Sequence, residues 1–126
     1  MILDSNILIY SVDPAYSDLL SYLDATNAPI YVSLISHLEV LGYHRLREID
    51  RIDLTNLLSN AIALPITQEV IDKAIELRRQ RKRSLADSII AATALLHTVP
   101  VLTNNVADFA DIDGLQVIRL VDVLNP

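Results

Sequence analysis

The chain has 126 residues, 52% of them hydrophobic and 21% charged, with a net charge of -6 and no cysteine. That size and balance fit one compact domain, residues 1–126, with its own core, and they exclude wholesale disorder. The missing cysteines exclude a disulfide framework and thiolate metal sites and fit a reducing compartment.

Met1–Leu3 is apolar and reads as a short buried strand that runs straight into Asp4. Asn6–Val12 is apolar and fits either a helix or a strand. Asp13-Pro14 reads as an N-cap followed by proline at the first helical position. The helix then carries Tyr16, Leu19, Leu20 and Leu23 at helical spacing and ends near Pro29. Ile30–Val32 is a second short strand. Ser33 and Ser36 are both candidate caps for the next helix, predicted to run to about Arg47. A shorter helix is predicted over Arg51–Asn60, and a third strand over Ala61–Leu64, closed by Pro65.

Thr67 caps a long helix whose inward residues are predicted to be Val70, Ile71, Ala74, Ile75 and Leu77. That helix runs into Arg78–Arg83, a cluster holding five of the ten Lys and Arg residues. Ser84 restarts a helix that is apolar nearly all round and so is expected to be central, with Leu85, Ile89, Ala92 and Leu96 on one stripe. Val99–Leu102 is a fourth strand. Thr103–Asp113 is a polar loop with Phe109 as its bulky apolar residue, and Gln116–Leu120 is a fifth strand before a short tail.

Short apolar strands alternating with amphipathic helices predict an α/β fold, with a central parallel sheet of five short strands flanked by helices. The longest apolar run, Ile89–Leu96 interrupted by Thr93, falls well short of the ~20 residues of a membrane span. No charged-then-apolar leader opens the chain. A soluble, cytoplasmic protein with no membrane association is expected.

The chemistry narrows by elimination. The two glycines, Gly42 and Gly114, form no G-x-G-x-x-G, P-loop or G-x-S-x-G elbow. His37, His44 and His97 match no zinc spacing. What remains is acids at element boundaries: Asp4 after the first strand, Glu39 early in the helix after the second, Asp87 in the first turn of the apolar helix, and Asp108 in the loop after the fourth strand. In a parallel sheet these positions share the carboxyl edge, where α/β folds build their sites. Carboxylates converging there repel one another unless a cation neutralises them. Hard oxygen donors without Cys or paired His select Mg²⁺ or Mn²⁺.

Each acid after Asp4 also has a structural reading. Ser36-His37-Leu38-Glu39 and Ser84-Leu85-Ala86-Asp87 both fit capping boxes, and Asp108 fits a turn cap. Asp111 and Asp113 read as turn residues. The basic cluster likewise has two readings, the solvated end of a helix or a local phosphate-binding patch in an acidic protein.

Taken together, the motifs resemble the PIN-domain ribonucleases, in particular the small VapC-type toxins of prokaryotic toxin–antitoxin pairs. Met1–Asn6 resembles the family's strand followed by Asp. Ser36–Val40 resembles its second acidic motif and Ser84–Leu96, SLADSIIAATALL, its third. Leu102–Phe109 resembles the closing pattern, with Thr103, Asn105 and Asp108-Phe109 at T-x-N-x-x-D-F spacing. The resemblance spans essentially the whole chain and implies a three-layer PIN-like fold. It assigns Asp4, Glu39, Asp87 and Asp108 as the metal-binding catalytic acids, with Thr103 and Asn105 supporting them. It implies a Mg²⁺- or Mn²⁺-dependent endoribonuclease, a homodimer, and an antitoxin partner lying over the acidic groove. Arg78, Arg79, Arg81, Lys82 and Arg83 are then candidate RNA contacts.

Two other readings use the same residues. A haloacid-dehalogenase-like phosphatase needs D-x-D after the first strand, and Asn6 stands where its second Asp belongs. A non-catalytic PIN-like binding module would use the acids as caps and bind no metal.

Overall fold

The computed structural model describes residues 1–125. Its five strands, β1 (Ile2–Leu3), β2 (Tyr31–Ser33), β3 (Ile62–Leu64), β4 (Val101–Thr103) and β5 (Val117–Arg119), form one sheet in the order β3-β2-β1-β4-β5. Every pairing is parallel. β1 is central, with Ile2 opposite both Tyr31 of β2 and Val101 of β4. The strands are only two or three residues long; the central three, β2, β1 and β4, are mostly buried and show no alternation, while the edge strands β3 and β5 are more open to solvent.

Among the described residues seven α-helices surround the sheet: α1 (Ser5–Ser11), α2 (Ser17–Ala25), α3 (Leu34–Leu41), α4 (Glu48–Ser59), α5 (Gln68–Gln80), α6 (Leu85–His97) and α7 (Leu120–Leu124). The core divides into two clusters, as a sheet covered on both faces requires. One joins Leu3 and Leu102 to Ile7, Leu8, Leu19, Leu23, Leu54 and Leu58. The other joins Ile2 and Val101 to Val70, Ala74, Leu77, Ile90, Ala91, Ala94 and Phe109. Neighbouring residues of β1 and β4 thus point to opposite clusters, following the period-two pleat.

Several boundaries differ from the sequence reading. Ser5–Ser11 is helical, and Asp13 caps a separate 3₁₀ turn, Pro14–Tyr16, by accepting from the Ala15 N–H at 2.9 Å. α2 begins only at Ser17. α3 stops at Leu41 instead of reaching Arg47, because Gly42 closes it with its N–H on the Leu38 carbonyl. A Cβ at Gly42 would lie 2.3 Å from that carbonyl oxygen, so the close approach requires glycine. α4 starts earlier, at Glu48, where Arg47–Asp50 and Arg51–Glu48 pairs bracket its first turn. The tail after β5, expected only to be short, contains α7.

Two apolar stripes match expectation only in part. Ile71 and Ile75 of α5 are exposed while Val70, Ala74 and Leu77 are buried. In α6 the buried face is Ser88 with Ile90 to Ala94, leaving Leu85 and Leu96 exposed.

Candidate active site

The strand order reverses direction at β1 and β4, so the crevice beyond their carboxyl ends is the topological switch point, where ligands bind in open α/β sheets. Asp4 leaves β1 at this point and Thr103 ends β4 beside it. Asp4 is the N-cap residue of α1, yet its side chain caps nothing. It is instead 3% exposed and accepts a hydrogen bond from the Thr103 hydroxyl at 2.8 Å. The Thr103 oxygen in turn accepts from the Asn105 backbone N–H at 2.9 Å, which fixes its hydrogen toward Asp4. Burial pushes the Asp4 carboxyl up to about 6. The Thr103 hydrogen bond opposes this, and the charges of Asp87 and Glu39 add to it.

Glu39 lies in the second turn of α3 and does not close a capping box. The N-cap is Ser33, whose hydroxyl accepts from the Ile35 N–H. Ser36 is buried inside the helix, with its hydroxyl 2.9 Å from that of Ser5. Glu39 reaches across to α1 and accepts from the Ser5 hydroxyl at 2.6 Å. Ser5, at the first position of α1, was not among the residues singled out from sequence. Its signal was its place immediately after Asp4.

Asp87 keeps its place in the first turn of α6. Ser84 caps the helix, its hydroxyl accepting from the Asp87 N–H at 3.0 Å. Burial raises the Asp87 carboxyl above the usual carboxylate range and the Ser84 hydroxyl offsets part of this. Asp108 and Glu39 raise it further, while Arg81 lowers it. Asp108 ends a 3₁₀ turn, Val106–Asp108, held by its own N–H on the Asn105 carbonyl at 3.0 Å. Asn105 is exposed and its side chain caps nothing.

Asp4, Glu39, Asp87 and Asp108 therefore act on one another as charges. Among the described residues none of the four takes part in an ion pair. Three of them line two separate concavities, and Asp4 lines neither. Ser5 and Glu39 stand at one end of a cleft of about 570 Å³ that continues past Ile9, Tyr43 and Leu46. Asp87 and Asp108 line a second, of about 310 Å³, with Arg81, Lys82, Arg83 and Ser84.

The chain from Met1 to Leu115 matches the PIN domain family. The chain belongs to that family. A chain of a toxin–antitoxin complex from Klebsiella pneumoniae is similar to this PIN domain at 31% identity, covering 93% of this chain and 94% of that one, with a TM-score of 0.76. The fold is shared with chains of DNA-bound VapBC from Salmonella typhimurium (18% identity, 94% and 96% covered, TM-score 0.81) and of FitAcB from Neisseria gonorrhoeae (23%, 94% and 96%, 0.74). No curated protein matches the chain significantly.

For a divalent cation, the donor chemistry of this PIN domain fits. The acids are all carboxylates, two of them raised by burial and by one another, and no Lys or Arg neutralises them by direct pairing. They are not drawn around one point, however: among the described residues no group of three or more His, Cys, Asp or Glu side chains is arranged to hold a metal.

The basic cluster divides. Arg79 and Lys82 are exposed, and Arg78 is exposed with its Nε donating to the Arg83 carbonyl at 3.3 Å. Arg83 is 7% exposed, and both Arg81 and Arg83 are ion-paired with Asp111. Arg83, expected as an RNA contact, is buried, with its guanidinium donors engaged by Asp111 and the Leu77 carbonyl. Asp111, read from sequence as a turn residue, is the acid these two cations grip.

Proposed function

We propose that this PIN domain is a Mg²⁺- or Mn²⁺-dependent endoribonuclease that serves as the toxin of a toxin–antitoxin pair, functioning as one PIN-like unit over residues 1–126. The observation that carries the proposal is the set of four un-neutralised carboxylates, Asp4, Glu39, Asp87 and Asp108, at the carboxyl edge of the sheet. Membership of the PIN family and the 31% identity to a toxin–antitoxin chain support it.

The four acids would hold the cation. When bound, Mg²⁺ or Mn²⁺ supplies Lewis acidity at a phosphodiester and a water nucleophile at neutral pH. The protein supplies orientation. Thr103 fixes the Asp4 carboxylate and Ser5 fixes Glu39, so each acid is aimed by a hydroxyl from another element. Hydrolysis by in-line attack breaks the P–O3′ bond and leaves a 5′-phosphate and a 3′-hydroxyl. Arg78, Arg79 and Lys82 are the basic residues free to meet flanking phosphates, with Arg81 beside them.

The antitoxin partner belongs in the cleft that starts at Ser5 and Glu39. Its walls of Ile9, Val12, Tyr43 and Leu46 suit apolar side chains, and Glu39 suits a basic one, while Arg45 and Arg47 on the same cleft suit an acidic neighbour. A homodimer is part of the same proposal. Leu34 and Leu38 lie exposed one turn apart on α3, as do Ile71 and Ile75 on α5. Among the described residues no helix is long and apolar enough to cross a membrane, and a cytoplasmic location is proposed.

The test is sequencing of RNA ends after incubation of purified wild type and Asp4→Asn with Mn²⁺. New 5′-phosphate ends are expected for wild type alone. Equal cleavage by Asp4→Asn, or cleavage persisting in excess EDTA, overturns the mechanism. Absence of Mn²⁺ binding favours the non-catalytic PIN-like module.

A further inference from the structure

We propose that Arg83 and Arg81 are positioning residues, which act through Asp111 to hold Asp108 at a set distance from Asp87. The proposal rests on the site described above, with Asp87 and Asp108 as metal-holding acids.

The two arginines lie in the connection between α5 and α6, just before the Ser84 cap and Asp87. Asp111 lies in the loop after β4, just beyond Asp108. Arg81 grips Asp111 with two parallel hydrogen bonds, Nε to Oδ2 at 2.8 Å and Nη2 to Oδ1 at 3.0 Å. Arg83 makes a second pair to the same carboxylate, Nη2 to Oδ2 at 2.8 Å and Nη1 to Oδ1 at 3.2 Å. The remaining donors go to backbone. Arg81 Nη2 donates to the Ala107 carbonyl at 2.9 Å, and Arg83 Nη1 to the Asp108 carbonyl at 3.4 Å. Asp108 is thus held by carbonyls on both of its sides. Arg83 Nε donates to the Leu77 carbonyl at 2.9 Å, tying the clamp back into α5.

Arginine is required for this geometry. One planar fork binds a carboxylate bidentately and keeps donors for carbonyls, which a lysine ammonium does not do. The Arg83 side chain is 2% exposed, so losing its carboxylate partner strands a buried cation. The loop is seated from below by Phe109 and Ile112, both buried. Those apolar anchors fix its depth, while the arginines fix where it sits along the start of α6. Changing the hydrogen-bonded neighbours that orient a metal's ligands typically costs about 10–100-fold in affinity.

The test compares Asp111→Asn with wild type in the full chain, by Mn²⁺ titration calorimetry and amide hydrogen exchange. Because Asp111→Asn removes the charge that faces the buried Arg83, folding of the variant is checked by circular dichroism, and Arg81→Lys, which alters the half-exposed partner alone, provides a milder second variant. Mn²⁺ affinity is expected to fall about tenfold in Asp111→Asn, with faster exchange confined to the amides of Asp108–Ile112. In an Asp108→Asn background the same substitution is expected to cost no further affinity. A merely structural pair would lower the melting temperature in both backgrounds and leave Mn²⁺ affinity alone. Unchanged affinity, or an equal loss without Asp108, overturns the positioning role and leaves the metal site standing. A wild type that binds no Mn²⁺ overturns the site itself. The clamp is then judged on exchange, where local acceleration supports it and unchanged rates overturn it.

Discussion

The hydroxyl of Thr103 at the end of β4 donates to the carboxylate of Asp4 at the end of β1, 2.8 Å away and out of contact with solvent. Asp4 therefore carries its charge in a buried position, relieved by this donor and opposed by Asp87 and Glu39. That charge is costly to the metal-free fold.

Asp4→Asn is expected to stabilise the metal-free protein above neutral pH. A carboxyl raised in the folded state stabilises fully below its unfolded value of 3.8 and loses that contribution as pH rises through about 6. A displacement of this size corresponds to about 3 kcal/mol. Asparagine recovers about 1–2 kcal/mol of it, because its own amide is also taken from water. Melting curves from pH 4 to 8 in EDTA test this. The variant's advantage should vanish near pH 4, and an advantage independent of pH would show that Asp4 is not the source.

Mn²⁺ should raise the melting temperature of wild type at pH 7.5, and the gain should shrink as pH falls through about 6. Below that value Asp4 holds a proton that a cation must displace. Asp87 is raised too and works in the same direction. A thermal shift that grows on acidification contradicts the assignment.

Thr103→Val removes the donor that lowers Asp4 and the acceptor of the Asn105 N–H. The cost is about 1–3 kcal/mol of stability. The acidic limb of the pH–rate profile should move to higher pH, since Asp4 then deprotonates later. A variant that loses stability with its acidic limb in place would confine Thr103 to a structural role.

Replacing Arg79 and Lys82 together by Gln should weaken RNA binding alike for all sequences, without changing the melting temperature. Both side chains are exposed, and two lost phosphate contacts should reduce the salt slope by roughly 1.4 for single strands. Filter binding at several salt concentrations measures the slope. An unchanged slope would place the RNA elsewhere on the surface.

The positions of Asp4 and Asp87 at element boundaries were legible in the sequence because each boundary has a chemical marker. Asp4 ends an apolar run, and Asp87 follows the Ser84 cap. What Glu39 does was not legible. Ser36 and Glu39 carry capping-box spacing, but the chain turns into α3 at Ser33, so the acid is free to meet Ser5 from another helix. Nor did local charge reveal the fate of Arg83. A run of cations reads as surface, and its partner Asp111 lies 28 residues away.

Fold class was readable from the alternation of strands and helices, whereas helix facing was readable only in part. α6 is apolar around most of its circumference, so several stripes fit equally and only packing selects the one centred on Ile90, Ala91 and Ala94. In α5 an isoleucine follows each of two inward residues, and Ile71 and Ile75 fall on the outer side of the stripe set by Val70, Ala74 and Leu77. α7 is five residues long, too short for its periodicity to announce it.

The earliest strand in the chain is the middle strand of the finished sheet, with β2 on one flank and β4 on the other. During translation β1 can pair with β2 soon after synthesis, but its second flank waits for β4. Until then Asp4 has no hydroxyl partner, and the loop bearing Asp108 does not yet exist. The buried Asp4–Thr103 pair and the Asp108 loop are thus completed only once β4 and the segment after it have been made, so the four acids come together late in synthesis whatever order the rest folds in.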